Sequence, residues 1–76
     1  MTIQDAIQAL DQGDWDKAHR TVQGLDTEAA AWFHGILHMI EGDESNARYW
    51  YRHAGREYPG KARLQDELCA LKASLP

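Results

Sequence analysis

His34, His38 and Glu41 stand at i, i+4 and i+7 in a segment that is otherwise apolar from Ala29 to Ile40. At helical pitch this spacing sets all three on one side of one helix. Two neutral imidazoles a turn apart can share a metal ion, and a carboxylate one turn further can be a third ligand or a base. The same groups can instead hydrogen-bond inside a core, with Tyr49, Tyr51, Asn46 or a backbone carbonyl of the next helix as partners. His34, His38, Glu41 and Tyr49 are thus a candidate ligand site or polar network. The expectation is the network, with no metal and no cofactor. The zinc-protease spacing H-E-x-x-H is not met, because Gly35 follows His34.

Arg48, Arg52 and Arg56 recur every four residues, with Tyr49 and His53 beside them. On a continuous helix they form one cationic face that could hold phosphate or an acidic partner. The simpler expectation is a solvated stripe, since exposed ion pairs contribute only about 0–1 kcal/mol. Cys69 is the one cysteine, which excludes a disulfide framework and a cysteine-based zinc cluster. Beside Leu68 and with no activating His near it in sequence, it reads as an inert, partly buried thiol. The hydroxyls Thr2, Thr21, Thr27, Ser45 and Ser74 fall mostly at helix caps or ends, and neither G-x-S-x-G nor a phosphate-cradling glycine loop is present. No catalytic set emerges, and the chain is read as non-enzymatic.

The elements that carry these residues follow from periodicity and punctuation. Ile3, Ala6, Ile7 and Leu10 mark one face of a first helix, with Thr2 and Asp5 as its capping pair and Gln12-Gly13 as its end. Asp14 caps a second helix whose buried side is Trp15, Ala18, His19 and Val22, stopped by Gly24. A third helix, from about Thr27 to Glu41, has an apolar arc so wide that it should be central. Gly42-Asp43 repeats the punctuation of Gly13-Asp14. The fourth helix buries Ala47, Trp50, Tyr51, Ala54 and Tyr58 and breaks at Tyr58-Pro59-Gly60. A last helix carries Leu64, Leu68, Leu71 and Leu75 on one side. The predicted architecture is all-α and single-domain, with hairpins over about 2–24 and 27–58 and a capping helix over about 61–74. Gly35 in mid-helix costs about 1 kcal/mol of helix propensity and so predicts a tight helix crossing.

The second hairpin resembles the tetratricopeptide repeat. In the pattern W-x2-L-G-x2-Y, A-x3-F, P, Gly35 takes the glycine, Ala47 and Tyr51 the A-x3-F pair, and Pro59 the closing proline. Ala31, His34 and His38 stand where tryptophan, leucine and tyrosine are usual, and the first hairpin matches mainly at Gly13 and Ala18. The resemblance implies a scaffold that holds a protein or peptide in a groove, lined here by Ile3, Ile7 and Leu10 and then by Trp32, Ile36 and Met39. Those last three are the expected partner-binding residues, with a second copy of the chain as another occupant. None of the lining residues is basic, so the cationic clamp of some family members is absent. The C-terminal helix could also fill the groove through Leu64, Leu68 and Leu71. The run from Trp32 to His38, with Glu41-Gly42-Asp43 and Asn46 to Arg52, is similar to a small group of bacterial and fungal proteins and implies no activity.

Composition sets the remaining bounds. The net charge of −4 disfavours nucleic acid as a partner. Charge is uneven, however: Asp5, Asp11, Asp14, Asp16, Asp26, Glu28, Glu41, Asp43 and Glu44 face only Lys17 and Arg20 in residues 1–46, whereas 47–63 are basic but for Glu57. No apolar run reaches the roughly 20 residues of a membrane span, and the first residues lack a signal peptide's basic and apolar blocks. A cytoplasmic protein with no membrane partner is expected.

Overall fold

Short polar side chains start four of the helices by accepting a hydrogen bond from a backbone N–H that the first turn leaves unpaired. In the computed structural model, which describes residues 1–76, Thr2 caps α1 (Ile3–Asp11) and Asp14 caps α2 (Trp15–Gln23). Thr27 caps α3 (Glu28–Glu41) and Asp43 caps α4 (Glu44–His53). Thr2 and Asp5 close a reciprocal capping box, with Asp5 Oδ2 accepting from the Thr2 N–H at 2.8 Å. A single 3₁₀ turn, Lys61–Arg63, leads into α5 (Leu64–Ser74). There are no strands.

Gly13 and Gly42 do the same work in the two tight turns. Each takes a left-handed backbone (φ 81° and 87°) that a side chain would strain. The reversal lets Asp14 N–H reach Ala9 O and Asp43 N–H reach His38 O, both at 2.9 Å, closing the carbonyl ends of α1 and α3. The aspartate that follows each glycine then caps the next helix. Two helix pairs result, α1 with α2 and α3 with α4, linked by packing of α2 on α3.

At the centre, Phe33, Ile36 and Leu37 of α3 are wholly buried with Tyr51 of α4 and Leu71 of α5. The tight crossing expected at Gly35 is present. A Cβ there would lie 2.5 Å from the Tyr51 ring and 3.2 Å from the Ala47 carbonyl oxygen, so only glycine lets α3 and α4 approach this closely.

Two expectations are corrected. Trp32, Ile36 and Met39 are 6%, 0% and 1% exposed, and so form no open docking surface. The reason is α5, which lies on α3 with Leu71 fully buried and Leu64 and Leu68 packed against the same core. Burial of this wide apolar arc is worth about 25 cal/mol per Å2, and the chain's own last helix supplies the cover. The second correction is the end of α4, at His53 rather than near Tyr58. Gly55 turns left-handed (φ 70°) and Arg56 N–H bonds back to Tyr51 O at 2.9 Å, so the helix closes before the proline is reached. No helix is long and apolar enough to cross a membrane.

Candidate functional site

The amphipathic face of α2 that buries Ala18 and Val22 also turns His19 inward, toward the two histidines of α3. His34 and His38 are 3% and 7% exposed, and His19 is half-buried. The three rings each offer a nitrogen, and the three nitrogens lie within 4.8 Å of one another. His34 Nε2 and His19 Nε2 are 3.0 Å apart, one donating and the other accepting according to tautomer. His38 Nδ1 bonds to Glu41 Oε1 at 2.7 Å, while the His34 and His38 rings stack with centroids 5.0 Å apart.

Two tryptophans wall the cluster. Trp15 stacks on His19 with ring centroids 4.8 Å apart, and its Nε1–H donates to the Leu37 carbonyl at 2.8 Å. Trp50 stacks on His34 at 3.9 Å. Such offset aromatic contacts hold imidazole planes in fixed orientations. Burial, then the neighbouring His19 and His38, push the pKa of His34 down from 6.5 to about 4. Burial also lowers that of His19, with His38 adding to the effect and Glu41 and Asp16 opposing it. His34 is therefore neutral throughout the physiological range, with a lone pair on each ring.

The hydrogen-bond partners differ from those expected. Tyr49 is 45% exposed and packs on Trp50 and His53 outside the cluster. Asn46 gives its side-chain amide to Asp43 Oδ2 at 2.7 Å. Tyr51 turns the other way, its hydroxyl donating to Glu67 Oε1 at 2.8 Å, where the Trp32 Nε1–H also donates at 3.0 Å. Burial foremost, then the bond to Glu67, drive the Tyr51 pKa far upward. The partner His34 does have is His19, fifteen residues away on α2. Its signal in the sequence was its place on the inner face of α2, one turn from Trp15. His38, Glu41 and Asp43 also cluster, but Asp43 is committed to capping, accepting from both the backbone and side chain of Asn46.

The three-arginine face is not formed. Arg48 pairs with Glu44 at 2.8 Å and lies over the Tyr58 ring, while the Arg56 guanidinium lies 3.5 Å from the Trp32 ring centroid. Only Arg52 remains on the outer side of α4, with Tyr49 and His53 around a shallow depression. The early close of α4 at Gly55 is what carries Arg56 out of register. Cys69, expected to be partly buried, is exposed.

A cleft of about 210 Å3 opens between the α2–α3 turn and α4. Its lining includes Asp26, Glu28, His34, Trp50 and His53, so one member of the histidine cluster is also a wall of the cleft. No family model, curated protein or solved structure matches this chain.

Proposed function

We propose that the protein is a non-enzymatic helical-repeat module that binds an acidic segment of a partner protein through the outer face of α4. The observation that carries this reading is the exposed group Tyr49, Arg52 and His53, backed by the half-buried Trp50. Tyrosine, tryptophan and arginine are the side chains that most often dominate protein interfaces, because they combine large contact area with hydrogen bonding. Arg52 is in none of the ion pairs of the fold, so its charge is available to a carboxylate. Support for the repeat register comes from the close crossing at Gly35, Ala47 and Tyr51, the positions that carry the tetratricopeptide resemblance. With the groove filled by α5, docking moves from the A-helix side to α4.

Affinity capture from the native host, followed by titration of the captured protein, tests the reading. The double change Tyr49→Ala and Arg52→Ala should weaken binding at least about 10-fold while leaving the melting temperature nearly unchanged. A partner bound equally well by the double variant would contradict it. Light scattering adds a second outcome: concentration-dependent dimers lost in the same variant would identify a second copy of the chain as the occupant.

A further inference from the structure

Most polar groups buried in this fold meet a partner of opposite character. Trp32 and Tyr51 donate to a carboxylate, Trp15 to a carbonyl, and Thr21 to the carbonyl of Lys17. His19 and His34 do not follow that pattern, and His38, whose Nδ1 is bonded to Glu41, turns its ring toward them. Three bases converge, and the bond between the first two joins one imidazole to another with no acid between them. From this convergence we infer that His19, His34 and His38 form a binding site for a late first-row divalent metal ion of the zinc class, held through three neutral imidazole nitrogens.

The distances suit such an ion. Zinc–imidazole bonds of about 2.0–2.1 Å in a tetrahedral site place the ligand nitrogens about 3.3 Å apart. The His19–His34 separation of 3.0 Å is close to that value, and all three nitrogens fall within 4.8 Å. Nitrogen separations therefore need to close by at most about 1.5 Å to complete the set. The proton shared between His19 and His34 need not leave the protein. It passes to the Nδ1 of the same ring by a change of tautomer, freeing both Nε2 lone pairs.

Neighbouring groups favour the same outcome. Glu41 accepts from His38 Nδ1, which leaves His38 Nε2 as the basic nitrogen, and a carboxylate behind a ligating histidine fixes its tautomer and strengthens it as a donor. Trp15 and Trp50 restrain the rings of His19 and His34. The cleft that His34 lines gives a way in, and Asp26 and Glu28 on that cleft favour a cation. An all-imidazole set suits zinc, copper or nickel and is a poor match to magnesium or calcium, which prefer oxygen. Three protein ligands leave a fourth position for water or an outside donor.

Calorimetric titration of the full chain with zinc chloride at pH 7.5 tests the site, with cobalt absorption as a spectroscopic probe of geometry. We expect one ion per chain, a dissociation constant in the micromolar range or below, visible cobalt bands of tetrahedral type, and a melting temperature that rises with zinc. His19→Ala, at the half-buried member of the set, should weaken binding by about 100-fold or more. Glu41→Gln should weaken it by about 10–100-fold as a positioning residue, with the tetrahedral cobalt spectrum retained. Because Glu41 is exposed, this variant also keeps the test intact should His19→Ala fail to fold. Cys69→Ser should bind zinc as the parent does. Absence of a zinc-dependent heat and of any shift in melting would overturn the site, as would stoichiometric binding that survives His19→Ala or disappears with Cys69→Ser.

Discussion

Two polar junctions flank α3, and they are built from opposite chemistry. On the α5 side, one carboxylate oxygen, Glu67 Oε1, accepts from both Trp32 Nε1 and Tyr51 Oη, with Arg56 stacked on the outer part of the Trp32 ring. Every role there is fixed by Glu67, for an ionised carboxylate can only accept, so the Trp32 Nε1–H and the Tyr51 hydroxyl both donate to it. On the α2 side, His19, His34 and His38 can each donate or accept, and the direction of the bond between His19 and His34 is a matter of tautomer. The first junction is saturated and serves to lock α5 over the core. The second is satisfied yet exchangeable, because a proton or a metal ion can replace the bond that holds it. A buried polar cluster thus signals a site less by its burial than by whether its members can change partner.

Gly35 belongs to both junctions, since α3 crosses α4 there with Tyr51 above it, while the preceding His34 stacks on Trp50. Breaking this crossing should have the largest effect. Gly35→Leu gains helix propensity but drives a side chain into the Tyr51 ring and the Ala47 carbonyl, and a loss of about 3 kcal/mol or more is expected in urea denaturation. A variant of parental stability would remove the geometric link between the two sides.

Glu67→Ala strands two buried donors at once and should cost about 2–3 kcal/mol, whereas Glu67→Gln retains an acceptor and should cost about 1 kcal/mol. Chemical denaturation of the pair separates them, and equal losses would mean that apolar packing of α5, not the carboxylate, closes that side. His34→Ala should fall slightly below Glu67→Ala, at about 1–3 kcal/mol, because His19 loses its partner yet keeps partial access to water. Parental stability in that variant would show that the imidazole junction holds nothing together.

A further difference between the junctions concerns pH. The folded-state pKa of His34, about 4, lies below its unfolded value of 6.5, so between those values the unfolded chain binds more protons. Stability is then complete above about pH 6.5 and declines as pH falls toward 4, by roughly 2 kcal/mol after allowance for partial hydration. Asp5 and Asp43, whose carboxylates are held down foremost by their hydrogen bonds to Thr2 and Asn46, act in a separate window below pH 3.8. Melts of the parent and of His34→Gln across pH 4–7 check this, and the glutamine variant should be flatter over that range. Parallel curves would place the titration elsewhere.

The contrast between the junctions was unevenly legible in sequence. Cap chemistry is local, so Thr2-Asp5, Gly13-Asp14 and Gly42-Asp43 marked the helix ends correctly, and Gly35 announced its own crossing. The stripe of His34, His38 and Glu41 was visible because all three share one helix. Periodicity places His19 on the inner face of α2 but does not join it to that stripe, since nothing in a single sequence fixes how α2 rolls against α3. Nothing in the sequence singles out Glu67, because its bonds to Trp32 and Tyr51 depend on where α5 lands. Arg56 was misplaced by one local event, the left-handed turn at Gly55, which outweighed the four-residue spacing of the arginines. Local chemistry was readable, and helix-to-helix placement was not.

One side of α3 keeps neutral imidazoles in mutual contact, with lone pairs ready for exchange. Nitrogen-15 titration of the histidine rings tests it most directly. His34 should stay neutral down to a midpoint near pH 4, with its Nε2 resonance coupled to that of His19. A His34 ring that protonates at its ordinary value of 6.5, with no effect on His19, would contradict it.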